Sequence, residues 1–204
     1  MNTNIIMEDI QLKLSHSFLY NWSLDDNLVK FAIKARLNIL PTNFTLYLWN
    51  RENDRRCPFC KSHTESTAHL LNGCFTQLGN LYSRRHNRIV DKLAAFIKLV
   101  KPRVPVYVDK MAETIFPEFK TELSEIRNRK VDIVLVDKSE RSCYLVEVKV
   151  CFDLYFNQSY DEKTSRYQDL VITSLRCEAV GDVLWFAWMC KAGRLWKFAK
   201  IHWR

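Results

Sequence analysis

Four side chains that can bind a metal lie within one short segment, with the spacing Cys57-x2-Cys60-x8-His69-x4-Cys74. Zn²⁺ prefers four thiolate or imidazole ligands in a tetrahedral arrangement. Two cysteines three residues apart can reach one ion from a tight turn, and Pro58 lies in that turn. Three thiolates and one imidazole leave no open coordination position, so we expect a structural zinc ion rather than a catalytic one.

An alternative explanation for this segment is a set of three buried cysteines beside an unrelated histidine. The convergence of four ligands within residues 57–74 favours the zinc site instead. Gly73 precedes Cys74, and we expect it to relieve the backbone where the chain bends back. His63 is a spare candidate ligand in a polar stretch that we expect to be an exposed loop. The remaining cysteines lie singly in apolar segments and are expected to be core residues: Cys143, Cys151, Cys177 and Cys190.

The composition limits the classes of partner. The 204 residues are 48% hydrophobic, which is enough for a folded core, and only 4 of them are glycine. We find no glycine-rich phosphate-binding loop. The net charge of +8 favours a polyanionic partner, nucleic acid before an anionic membrane. A soluble basic protein without such a partner is the alternative.

The sequence also predicts a compartment. The first residues contain no basic segment followed by a long apolar run, so we expect no secretory signal. No stretch approaches the length of a membrane-spanning helix, so no membrane partner is expected. The 7 cysteines are odd in number and mostly lack the spacing of a disulfide framework. We therefore expect an intracellular, reducing location.

The periodicity of apolar residues predicts helices through the first half of the chain. The predicted helices cover residues 8–22, 28–40 and 76–101. Pro102 and Pro105 then interrupt the chain, which makes this the best domain boundary. We expect a helical region with a zinc knuckle at 57–74 in residues 1–103, and a second domain in residues 104–204.

Beyond the prolines the period of the apolar residues changes to two, which is typical of strands. In order, the predicted elements are a short helical segment between Asp109 and Ile126, strands at 130–136 and 143–150, a helix at 159–177, and a hairpin of 183–190 with 195–203. The expected fold class is therefore α+β.

A hairpin of the first two strands would bring two acidic residues together. If its turn lies at residues 139–140, Asp132 stands directly opposite Glu147. Lys149, two residues after Glu147, then lies on the same face of the hairpin and diagonal to Asp132. The surrounding positions are largely apolar, so the two carboxylates repel each other where burial raises the cost. A divalent cation resolves this conflict, because Mg²⁺ or Mn²⁺ accepts carboxylate oxygens and still binds a phosphate.

Two carboxylates and a lysine in this arrangement are typical of the PD-(D/E)xK class of nucleases, in which Lys149 would orient or activate the attacking water. The alternative is a glutamate–lysine pair on an exposed strand, which the apolar neighbours disfavour. The candidates for a third acidic metal ligand remain open: Glu113, Glu118, Glu122 and Glu125.

Taken in order along the chain, these motifs resemble a known family. The knuckle is followed by residues 85–87, Arg-His-Asn, and then by the acidic pair. This order resembles the C-terminal region of site-specific non-LTR retrotransposon proteins that carry a restriction-like endonuclease. Ala35–Thr42 resembles the helix-ending segment before the family's knuckle, and Glu162–Leu170 resembles its lysine- and tyrosine-bearing helix. The resemblance covers roughly residues 30–200, with one departure at Val131, where the family usually has proline.

The resemblance implies roles for individual residues. Asp132 and Glu147 would hold the catalytic metal, with Lys149 as the nuclease lysine. Lys163 and Tyr167, one helical turn apart, would face the same centre. The fold would be a restriction-endonuclease-like core with a mixed central sheet.

Basic residues cluster just after the knuckle. Residues 82–103 contain one acidic residue, Asp91, and seven basic residues: Arg84, Arg85, Arg88, Lys92, Lys98, Lys101 and Arg103. The resemblance implies that Arg85 and His86 contact DNA or support the active centre. Arg84 and Arg88 are further candidates for binding phosphates. A solvated basic helix face is the alternative.

The activity that the resemblance implies is metal-assisted hydrolysis of a DNA phosphodiester, and the cut starts target-primed reverse transcription. The expected partners are double-stranded target DNA, element RNA and a reverse transcriptase domain in a longer polypeptide, and the expected location is the nucleus. Two alternatives remain open. One is a zinc-knuckle nucleic-acid-binding module with an inactive nuclease core, and the other is a host repair nuclease of the same fold.

Overall fold

The structure, a computed structural model, describes residues 25–127, 130–140, 142–151, 156–176, 182–191, 194–195 and 201–203. The helix predicted at 8–22 lies outside these residues. Contacts between Cα atoms group the chain into two compact units. The first unit contains residues 1–84, 150–154 and 190–196, and the second contains residues 85–149, 155–189 and 197–204. The domain boundary predicted at residue 103 stays a prediction.

Two short helices open the described part of the first unit. Helix α1 spans Asp26–Arg36 and begins at the N-cap Asp25, whose side chain accepts a backbone hydrogen bond of 2.8 Å. The helix ends before residue 40, where we predicted its end, because Asn38 takes a left-handed conformation with a φ of 56°. Helix α2 spans Asn43–Leu48.

The longest helix, α3, spans Phe75–Val100 and confirms the helix predicted at 76–101. A single π-helical turn, His69–Gly73, precedes it. Its buried residues Val90 and Ala94 are four positions apart and so lie on one side of the helix. None of the described helices has both the length and the apolar character needed to cross a membrane.

Three antiparallel strands follow α3. Strand β1 spans Val106–Met111, β2 spans Lys130–Asp137 and β3 spans Ser142–Cys151. The β2–β3 hairpin confirms both predicted strands, and Ile133 pairs with Val146 in the register expected from a turn at residues 139–140. Strand β1 was not predicted; it pairs with β2 and places Val108 opposite Ile133.

Strand β1 is irregular near its end. Asp109 takes a left-handed φ of 54°, and its carboxylate forms an ion pair of 2.8 Å with Lys130. The helical segment predicted after this point consists of α4 at Ala112–Ile115, a 3₁₀ turn at Pro117–Phe119 and α5 at Lys120–Ser124.

One helix and three strands complete the described chain. Helix α6, Phe156–Arg176, confirms the helix predicted at 159–177. Strand β4 spans Asp182–Lys191, β5 spans Arg194–Leu195 and β6 spans Ile201–Trp203. Both β5 and β6 pair antiparallel with β4, in agreement with the predicted final hairpin, and the strand order is β1-β2-β3-β4-β5. The α+β class is confirmed.

The core of the second unit has two parts, one on each side of the β2–β3 hairpin. In the first, α6 and the short helices pack on the strands: Ala112, Phe116, Leu123, Ile126, Val131, Val134, Cys143, Leu145, Tyr167 and Leu170. In the second, α3 packs on them: Val90, Ala94, Ile133, Leu135, Val146 and Val148. Helices therefore cover both faces, and the full burial of Cys143 confirms that it is a core residue.

Candidate functional site

The four predicted zinc ligands converge in the first unit. Cys57, Cys60, His69 and Cys74 offer ligand atoms that all lie within 4.8 Å of one another. The Sγ atoms of Cys57 and Cys74 are 3.8 Å apart, and Sγ of Cys60 lies 3.4 Å from Nε2 of His69. Sulfur ligands about 2.3 Å from a tetrahedral ion lie about 3.8 Å from one another. The cluster therefore has the dimensions to hold a metal ion such as zinc.

Hydrogen bonds to backbone atoms shape the knuckle. The amide of Lys61 donates to the carbonyl of Cys57 at 2.7 Å, and Lys61 takes a left-handed φ of 58° that closes the turn. The amide of Cys57 donates to the carbonyl of His63, also at 2.7 Å. The buried carboxylate of Glu65 accepts the amide of Asn43 and so attaches the knuckle to the start of α2.

Tyr82 of α3 fixes the other half of the cluster. Its hydroxyl donates to the carbonyl of Leu70 at 2.7 Å and accepts a hydrogen bond from the amide of Cys74 at 3.1 Å. Gly73, which we predicted for its backbone freedom, is needed here for space. A Cβ atom at Gly73 would lie 3.3 Å from Nδ1 of His69, so a side chain would press on the ligand ring and require it to shift by a few tenths of an ångström.

The thiols of the cluster differ in how readily they ionise. Burial, and then the neighbouring sulfurs of Cys57 and Cys60, raise the pKa of Cys74 to about 11. Hydrogen bonds from Ser62, and then from His63, lower the pKa of Cys60 to about 5. A bound cation replaces the thiol protons and offsets the repulsion among the thiolates. His63 borders the cluster, with Nδ1 lying 3.8 Å from Sγ of Cys60.

A second group of polar side chains lies in the second unit around the predicted acidic pair. The β2–β3 register at Ile133 and Val146, continued by one residue, places Asp132 beside Glu147. The side chain of Glu147 is only 3% exposed, and that of Asp132 is 17% exposed. Burial, and then the negative charge of Asp132, raise the pKa of Glu147. The negative charge of Asp132 is therefore close enough to disfavour a charge on Glu147.

Two side chains of α6 reach this pair. Nζ of Lys163 forms an ion pair with Oε1 of Glu147. The other oxygen of that carboxylate, Oε2, is buried and accepts no hydrogen bond within the part of the chain that the structure describes. Tyr167, one turn after Lys163, donates its hydroxyl to the carbonyl of Lys130 at 3.1 Å. Burial, and then the charges of Glu147 and Asp132, raise the pKa of Tyr167, which keeps it a neutral donor.

His86 reaches the same centre from α3. Its Nε2 atom lies 3.1 Å from Oδ1 of Asp132. The second oxygen of that carboxylate, Oδ2, accepts a hydrogen bond from the amide of Val148 at 2.6 Å. The hydrogen bond to Asp132 raises the pKa of His86. The structure thus brings His86, Asp132, Glu147, Lys163 and Tyr167 together.

Lys149 occupies the strand position that we expected, and its role as the nuclease lysine stays a prediction. It lies half-buried on β3, two residues beyond Glu147, but Lys163 is the lysine that forms the ion pair with this carboxylate. Of the four candidates for a third acidic ligand, Glu113 is half-buried at the start of α4, and the others are exposed: Glu118, Glu122 and Glu125.

Two contacts of the knuckle were missed by sequence reasoning. Glu65 and Tyr82 both form hydrogen bonds with backbone amides, and contacts of this kind leave no recognisable pattern in the sequence. The helical period could have indicated Tyr82, because it lies two turns after the start of α3 and so returns to the side next to Cys74.

The chain matches no model of a protein family and no curated protein. The contacts described above are therefore the basis for assigning a function.

Three exposed basic residues follow one another along α3. Arg84, Arg88 and Lys92 are four residues apart, so they form one stripe on the helix surface. Arg85, which we also predicted to bind nucleic acid, is half-buried. The stripe has the spacing and charge to contact successive phosphates.

We expect the double change Arg84→Gln and Arg88→Gln to reduce the salt dependence of DNA binding. Each phosphate contact releases counterions, so losing two contacts should flatten the slope of log K against log salt by about one to two units. Fluorescence anisotropy with a labelled duplex measures this slope. Lys30→Gln with Lys34→Gln, another exposed pair four residues apart on α1, is the matched control. An unchanged slope in the arginine variant would mean that the stripe is only a solvated helix face.

Proposed function

We propose that this chain is a Mg²⁺-dependent DNA endonuclease with its reactive centre at Asp132 and Glu147. The observation that most supports this is the Oε2 atom of Glu147, which is buried without a hydrogen-bond donor among the described residues. The same carboxylate also lies near the negative charge of Asp132. Such a pair is costly to bury unless a cation binds it. Carboxylate oxygens are the ligands that Mg²⁺ prefers.

Each residue of the centre has a role in this proposal. Asp132 and Glu147 would hold the ion, which supplies a water of lowered pKa and polarises the scissile phosphate. Lys163 places a positive charge next to Glu147, where it can stabilise charge that develops on the phosphate. Tyr167 remains a neutral hydrogen-bond donor beside the same carboxylates. Lys149 is the alternative nuclease lysine.

The finer parts of the proposal come from the sequence resemblance. They are a PD-(D/E)xK core with a mixed central sheet, double-stranded target DNA as substrate, and nicking that starts target-primed reverse transcription in the nucleus. Element RNA and a reverse transcriptase domain would be the further partners. Helices on both faces of the sheet and the zinc-type cluster are consistent with this assignment.

A second candidate function is a zinc-knuckle nucleic-acid-binding module whose nuclease centre is inactive. The observation that favours it is the ion pair between Lys163 and Glu147, because this ammonium group already neutralises part of the acidic charge. In that case the basic stripe on α3 would bind DNA without any cutting.

Titrating Mg²⁺ into the zinc-loaded protein with supercoiled plasmid separates the two functions. We expect the endonuclease to convert supercoiled DNA to nicked circles as Mg²⁺ increases, and the reaction to stop when Mg²⁺ is removed by dialysis, which leaves the tightly bound zinc in place. Lys163→Ala should slow nicking more than Lys149→Ala does, since Lys163 contacts Glu147. DNA retardation without nicks at any Mg²⁺ or Mn²⁺ concentration would favour the binding module.

A further inference from the structure

His86 lies on the side of α3 that packs on the sheet, although it belongs to the basic segment. It precedes the buried residues Val90 and Ala94 by four and eight positions, so it shares their side of the helix. Its side chain is 31% exposed, whereas Arg84 and Arg88 are both exposed. This position directs the imidazole towards β2 rather than towards a ligand in solvent.

The imidazole and one backbone amide hold the two oxygens of the Asp132 carboxylate. Nε2 of His86 lies 3.1 Å from Oδ1, and the amide of Val148 donates to Oδ2 at 2.6 Å. Each carboxylate oxygen has about two lone-pair sites, so one hydrogen bond on each leaves room for a further partner. These two hydrogen bonds fix the plane of the carboxylate and, among the residues that the structure describes, leave a lone-pair site on each oxygen for a further partner.

We propose that His86 is a positioning residue that orients Asp132 for a divalent cation shared with Glu147, an inference that rests on the proposed endonuclease centre. A carboxylate held in the binding orientation loses little rotamer freedom when the ion arrives. Hydrogen bonds to metal ligands act in this way, and removing one typically weakens metal binding by about 10–100-fold. In this proposal His86 orients a metal ligand, whereas the exposed Arg84 and Arg88 of the same helix contact DNA.

The test measures Mn²⁺ affinity of the 204-residue, zinc-loaded protein without DNA, with Asp132→Ala defining the background. We expect His86→Leu to raise the Kd for Mn²⁺ by about tenfold or more, because it keeps the bulk but removes the hydrogen bond. His86→Gln, which retains an N–H donor, should recover most of the affinity. Asn87→Leu changes the adjacent exposed residue in the same way and should leave the Kd unchanged.

Nicking assays then separate positioning from a merely structural role. In His86→Leu the concentration of Mn²⁺ needed for half-maximal nicking should rise, while the rate at saturating Mn²⁺ stays near that of the parent protein. A parental Mn²⁺ affinity in His86→Leu, or no recovery in His86→Gln, would overturn the role of His86 even if the parent protein nicks DNA. A parent protein whose Mn²⁺ affinity depends on His86 but that never nicks DNA would overturn the endonuclease proposal alone. No binding of Mn²⁺ above the Asp132→Ala background would overturn both.

Discussion

Asp132→Ala and Glu147→Ala should each remove metal-dependent nicking of plasmid DNA. Loss of a catalytic metal ion removes several kcal/mol of transition-state stabilisation, which corresponds to a rate lower by about three orders of magnitude. DNA binding should survive in both variants, because it depends on basic side chains and because removing a carboxylate lessens the repulsion of phosphate. Nicking rates and anisotropy titrations on the same preparations measure the two effects.

The controls for this prediction address folding and charge. Thermal melting is needed, since the Asp132 carboxylate also accepts the amide of Val148 and its loss can weaken β3. Asp161→Ala removes an exposed acid of α6 and should leave the nicking rate unchanged. Parental nicking by a folded Asp132→Ala protein would contradict the endonuclease assignment and leave the binding module as the better account.

Cys57→Ser is expected to release zinc and to unfold the knuckle. A closed set of four ligands can contribute on the order of 10 kcal/mol to the free energy of local folding, and the buried Cys57 thiolate is one of the four. Metal analysis should find less than stoichiometric zinc in the variant. Hydrogen exchange should become fast in residues 50–81, where hydrogen bonds between side chains and backbone amides connect the knuckle to α2 and α3.

Cys143→Ser is the matched control for the zinc experiment. This cysteine is equally buried, but it lies in the sheet core of the second unit. Its replacement should lower the melting temperature without changing the zinc content. Purified parent protein without stoichiometric zinc, or a Cys57→Ser variant that keeps zinc and slow exchange, would refute a zinc-dependent knuckle.

The periodicity of apolar residues predicted the helices and strands whose structure depends on neighbouring residues in the sequence. The bounds of α3 and the register of the β2–β3 hairpin follow from helical and strand periodicity and from a short turn. Strand β1 was missed because only Val106–Val108 has strand character, and its pairing with β2 joins residues far apart in sequence. The early end of α1 depends on the left-handed conformation of Asn38, which side-chain periodicity cannot indicate.

The candidate site was predictable to a similar extent. The spacing of the cysteines and histidine indicated the metal cluster, and the hairpin register brought Asp132 next to Glu147. The contact of His86 with Asp132 spans 46 residues and depends on how α3 packs on the sheet, so no spacing rule could supply it. For the same reason, sequence alone could not decide between Lys149 and Lys163.

The irregular end of β1 bears on how copies of this protein behave at high concentration. Among the strands that the structure describes, β1 lies at one end of the order, where its backbone could pair with a strand of another molecule. Such pairing needs a continuous extended segment, and the left-handed Asp109 interrupts it after three residues. The ion pair of Asp109 with Lys130 adds charge at the same border. This edge is therefore a poor template for intermolecular sheet growth and for aggregation.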